Sequence, residues 1–127
     1  MYRVTDLDLW SGSPFPELRD AFDSEPFWVL NYDQLEDGEW LATVECTEDE
    51  EPASAELEIR RFLGKVKDLD PVAKVQWGQC RKRVLDLAFD CGATRCYQHA
   101  LPADLVELAA SFGCSIAITL YPHEAGE

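Results

Sequence analysis

The stretch from Val84 to Pro122 constrains the fold more than any other part of the chain, because it spells a strand, a helix and a second strand in succession. In Val84 to Asp90, Leu85, Leu87 and Phe89 fall on one side and Asp86, Ala88 and Asp90 on the other, the period-2 pattern of a half-buried strand. In Cys114 to Tyr121 the even positions are Cys, Ile, Ile and Leu, the odd ones are smaller or more polar, and Pro122 stops the run. Between them Pro102 suits the first turn of a helix, Leu105, Val106, Leu108, Ala109 and Phe112 form its apolar stripe, and Gly113 supplies the left-handed residue that ends it.

The preceding residues extend this pattern. Tyr2 to Trp10 alternates only partly, with Val4, Leu7 and Leu9 apolar, and reads as an edge strand. Ser13 and Pro14 open a short helix limited by Pro16, with Leu18, Ala21 and Phe22 on one face. Phe27 to Leu30 and Trp40 to Cys46 read as a hairpin around a loop carrying Asp33, Glu36, Asp37, Gly38 and Glu39. An acidic loop, Thr47 to Pro52, leads to a helix from about Ala53 to Asp68, in which Ala55, Ile59, Phe62, Leu63 and Val66 follow the 3.6-residue period. Asp70-Pro71 is a good helix start, yet Val72, Val75 and Trp77 also suit a strand, so Pro71 to Cys80 stays open between the two.

From Trp40 onward the expected order is strand, helix, strand, a short strand near 95 to 100, helix, strand. That is an α+β fold with a ferredoxin-like (split β-α-β) antiparallel sheet, helices packed on one face, and an N-terminal extension. At 127 residues the chain is expected to form a single domain, 1–127. An apolar content of 46% excludes a disordered chain, and no apolar run approaches the roughly 20 residues of a membrane span. The start of the chain lacks the pattern of a signal peptide, which makes the cytoplasm the expected compartment. Five cysteines, odd in number and spread over strand-like positions, then read as reduced thiols.

Charge narrows the possible partners. A net charge of −14 opposes binding to nucleic acid or anionic membrane and favours a basic protein. Residues 1 to 58 hold the acidic excess, whereas residues 59 to 83 carry eight bases against Asp68 and Asp70. If the helices cover the side bearing Leu85, Leu87, Ile116 and Ile118, the other side of the sheet carries Glu39, Thr43, Glu45, Asp86, Asp90, Thr119 and Tyr121. The expected partner-binding residues are therefore Asp33, Glu36, Asp37, Glu39, Glu45, Glu48, Asp49, Glu50, Glu51, Asp86 and Asp90.

Catalytic and metal readings are weaker. Cys91, Cys96 and His99 lack the tight knuckle of a structural zinc site and need a fourth ligand, from Cys114 or His123, so no metal and no cofactor is expected. Asp86 and Asp90 share a strand face but stand roughly 13 Å apart, beyond the ~5 to 9.5 Å of a glycosidase pair. Trp10-Ser11-Gly12-Ser13 lacks the second glycine of a nucleophile elbow. The expectation is a non-enzymatic protein. The alternative is a small metabolite-binding or enzymatic domain with a pocket near Cys96, His99 and Tyr121.

The chain from about Ala55 to Pro122 resembles small bacterial proteins with a ferredoxin-like core, through Trp77-Gly78-Gln79-Cys80-Arg81, Leu85 to Phe89, and Gly113 to Pro122. Small acidic proteins of this kind are similar to the immunity proteins of bacterial toxin systems, including contact-dependent growth inhibition. The resemblance implies a basic toxin domain, often a nuclease, as partner, and carries over no binding residue.

Overall fold

The central strand of the sheet is the N-terminal one. In the computed structural model, which describes residues 1–47, 54–92 and 98–122, β1 (Tyr2–Ser11) buries Thr5, Leu7, Leu9 and Ser11 on one face and leaves Val4, Asp6, Asp8 and Trp10 half-buried on the other. The remaining elements are α1 (Pro16–Ala21), β2 (Phe27–Gln34), β3 (Trp40–Cys46), α2 (Ala55–Lys67), α3 (Pro71–Gln79), β4 (Lys82–Gly92), α4 (Ala103–Ser111) and β5 (Ser115–Pro122). They build an α+β fold around one five-stranded sheet of order β2-β3-β1-β4-β5. β1 runs antiparallel to β3 and β4, β2 antiparallel to β3, and β4 parallel to β5.

This sheet is mixed, and its order is not that of the ferredoxin-like antiparallel sheet expected from the sequence. The N-terminal strand, read as an edge strand, slots between β3 and β4 and displaces the predicted pairings. β4, α4 and β5 follow the strand-helix-strand order read in Val84 to Pro122, and the two strands lie adjacent and parallel, not within the antiparallel sheet expected. The predicted short strand near 95 to 100 lies partly outside the described residues, and residues 98 to 100 form no strand.

One hydrophobic cluster lies between the sheet and the helices. Leu7, Leu9, Ala42, Val44, Leu85, Leu87 and Phe89 from alternate strand positions meet Leu18, Ile59, Phe62, Leu63, Trp77, Leu105 and Ala109 from the four helices. Phe27 stacks on Phe62 at 5.2 Å between ring centroids and meets Phe22 edge-on at 5.3 Å. All four helices of the described residues therefore cover one face of the sheet, and none of them covers the other.

The helix boundaries follow local chemistry. Ser54 caps α2 by accepting the Leu57 N–H at 3.1 Å. The open choice over Pro71 to Cys80 resolves as helix: Asp70 accepts the Ala73 N–H at 2.9 Å, and Ala73 and Trp77, one turn apart, are its buried residues. Pro16 begins α1 rather than limiting it, because a proline in the first turn loses no hydrogen bond. In α4 only Leu105 and Ala109 are buried, so the apolar stripe is narrower than its sequence suggested.

Gly113 has φ +76°, and a Cβ there would lie 2.6 Å from Arg83 Nη1. Arg83 bonds the Trp77 carbonyl at 2.9 Å and the Gly113 carbonyl at 3.2 Å, joining the ends of α3 and α4. Gly113→Ala is expected to lower stability by about 1–2 kcal/mol, measured by urea unfolding, because the left-handed backbone is costly for alanine and Arg83 must shift.

Candidate functional site

Strand register brings three carboxylates side by side on the open face. Asp6 pairs with Glu45 of β3 on one side and with Asp86 of β4 on the other, and Trp28 and Ala117 extend the row to the sheet edges. Asp8 lies two residues along β1, between Thr43 and Val84. Like charges placed directly opposite one another across strands are destabilising, so this row stores repulsion.

Burial and that repulsion together act on Asp6. Burial, then a hydrogen bond and charge from Glu45, then Asp8 and Asp86 push its pKa up to about 8. This favours the protonated form of Asp6 near neutral pH, with its hydrogen bond to Glu45, while its Oδ1 is sealed from solvent with no hydrogen-bond partner among the described residues. Asp8 is also raised, first by burial; a hydrogen bond from Thr43 at 2.9 Å opposes this, Asp86 adds to it and Lys82 offsets it. Asp86 accepts a hydrogen bond from Thr119 Oγ1 at 2.8 Å.

The row floors an open hollow of about 220 Å³ rimmed by Arg3, Tyr121 and Thr119. A register shift between Tyr2 and Val4 turns Arg3 onto this side, where its guanidinium lies 4.8 Å from the Tyr121 ring centroid and 3.8 Å from Asp90. At the other end of the face Lys82 sits 4.9 Å from the centre of the Trp10 ring. A strip of acid in the middle of the sheet is thus flanked by two cations, each resting on an aromatic ring.

The expected binding residues divide into three groups. Glu45 and Asp86 belong to the acidic row, and Asp90 shares the face but is paired with Arg3. Asp33, Glu36, Asp37 and Glu39 sit at the tip and base of the β2–β3 hairpin, roughly 13 Å or more along the strands from Glu45. Of these Glu39 is bound to Arg81 at 2.7 Å. Glu48, Asp49, Glu50 and Glu51 lie outside the described residues. Asp6 and Asp8, absent from the sequence-based set, stand at the centre of the site; their alternation with Leu7 and Leu9 was the available signal.

The alternative pocket does not converge. His99 faces the helix side, with Nε2 2.8 Å from Glu56 Oε1 and its ring 5.3 Å from Phe89, whereas Tyr121 opens onto the opposite face beside Asp90. Cys96 lies outside the described residues. Burial pushes the thiols of Cys46, Cys80 and Cys114 up to about 12, 11 and 11, which makes them poor nucleophiles. Among the described residues no three His, Cys, Asp or Glu side chains are grouped to hold a metal, and no helix is long and apolar enough to cross a membrane.

No protein-family model matches the chain, and comparison with curated proteins and with solved structures returns no match.

Proposed function

We propose that the protein is a non-enzymatic, cytoplasmic binding protein that captures a basic protein on the open face of its sheet, in the manner of an immunity protein neutralising a toxin domain. The observation that carries this reading is the row Glu45, Asp6, Asp86, left uncovered by the helices, in which burial first and then the neighbouring carboxylates raise the pKa of Asp6. A lysine or arginine entering the hollow relieves this repulsion and draws Asp6 into its charged form. At about 220 Å³ the hollow falls below the roughly 300–1,000 Å³ of small-molecule pockets, which favours a single protruding side chain over a metabolite. The acids of the β2–β3 hairpin and of residues 48 to 51 add long-range attraction.

The test is kinetic. With the partner isolated from the native organism, Glu45→Gln and Asp86→Asn are expected to speed dissociation by roughly thirtyfold, the equivalent of about 2 kcal/mol for a broken desolvated pair. Neutralising Glu48, Asp49, Glu50 and Glu51 is expected to slow association and flatten its salt dependence instead. Calorimetry near pH 7 in buffers of differing ionisation enthalpy should show proton release on binding. Unchanged rates in both sets of variants, with no proton released, would refute the reading.

A further inference from the structure

We propose that β5 is the joint of a symmetric dimer, in which two copies pair their β5 strands antiparallel and merge their sheets into one of ten strands. Among the described residues β5 is the last strand of the sheet, bonded to β4 on one side only. Among the described residues it is also the only strand without a charge: Arg3, Asp33, Glu45 and Asp86 lie in the other four, whereas Gly113 to Pro122 has none. Exposed edges in natural sheets are usually blunted by charge, proline or a bulge. The opposite edge, β2, has Asp33 and a register shift between Val29 and Asn31. β5 has neither within the run from Ser115 to Tyr121, and Pro122 only terminates it.

Its side chains fit a copy of themselves. Ile116, Ile118 and Leu120 pair with Leu85, Leu87 and Phe89 and so face the helix side, but Ile118 and Leu120 remain 62% and 58% exposed, beyond the cover of α4. A two-fold axis perpendicular to the sheet keeps both sets of helices on the same side, so residues opposite one another must share a face. Centred on Ile118, the axis sets Ile118 against its own copy and Ile116 against Leu120 of the other chain, twice over. On the open face Ala117 meets Thr119 and Ser115 meets Tyr121. The result is a six-residue apolar row on the helix side with no charge on either.

Self-complementarity selects the second copy as occupant, because the same exposed Ile118 and Leu120 supply both halves of the row. Two chains of net charge −14 repel over most of their surfaces, and this neutral strip is where they approach without opposing carboxylates. Seven paired residues per chain, Ser115 to Tyr121, bury on the order of 1,000 Å², the lower end for a specific interface. The merged sheet leaves both acidic rows on one continuous face, and the proposal stands whether or not that face binds a basic protein.

Sedimentation velocity from roughly 1 to 300 µM should show a monomer–dimer equilibrium. Ile118→Lys and Leu120→Lys should each weaken it by roughly tenfold or more, because the axis buries two copies of the new charge. Both positions are more than half exposed in the single chain, so thermal unfolding should be little changed. Trp28→Lys, on the other edge, should leave the dimer intact. A monomer at every concentration overturns the proposal, as does a dimer that survives both β5 variants or dissolves in Trp28→Lys.

Discussion

Replacing Glu58 with alanine is expected to lower the unfolding free energy by about 3 kcal/mol or more, with the denaturant slope unchanged. Glu58 lies in α2 and is only 4% exposed. Its Oε1 accepts hydrogen bonds from the Thr5 backbone N–H at 3.0 Å and from the Tyr2 hydroxyl, which also meets Thr5 Oγ1 at 2.6 Å. The Tyr2 phenol is pushed up first by burial and then by the Glu58 hydrogen bond, so it stays protonated and remains a donor. Alanine would leave the buried Thr5 N–H without its acceptor and the Tyr2 hydroxyl with Thr5 Oγ1 alone, and unmet buried polar groups cost about 1–3 kcal/mol each. Glu58→Gln keeps an acceptor and should lose about 1 kcal/mol. If alanine and glutamine cost the same in urea unfolding, the carboxylate is not what joins α2 to β1.

That network also explains why β1, legible as a strand, reads from its sequence as an edge strand and not as the central one. Its buried positions are Thr5, Leu7, Leu9 and Ser11, so polar side chains open and close the core-facing run, and Val4 and Trp10 lie on the other face. Apolar residues therefore do not alternate cleanly. Thr5 is tolerated at 0% exposure because Tyr2 and Glu58 satisfy its hydroxyl and N–H, a partner 53 residues away that no local pattern reveals. The β4, α4 and β5 elements were legible because their contacts are near in sequence and their patterns are unbroken. Glu45 and Asp86 were legible as open-face acids by the same alternation. The row they form was not, since it exists only once β1 inserts between them and brings Asp6 to both.

The burial of Asp6 and the crowding of its row should make stability fall as pH rises from about 4 to 8. The folded-state pKa of Asp6 is about 8, above the ~3.9 of an aspartate in an unfolded chain. Between these values the folded chain holds a proton that the unfolded chain has released. The contribution is therefore complete below about pH 4 and is lost as pH rises through 8. Because Asp6 is only half-buried, solvent screening reduces the effect well below the full value of the shift, to about 1–2 kcal/mol. Asp6→Asn keeps the shape and a donor toward Glu45 but cannot ionise, so its stability should vary less across this range and exceed that of the wild type at pH 9. Urea midpoints at pH 5.5 and 9 decide the matter. Equal loss in Asp6→Asn and wild type would mean that the repulsion is carried by the neighbouring carboxylates and not by Asp6, while high salt should shrink the wild-type loss if the row acts through charge.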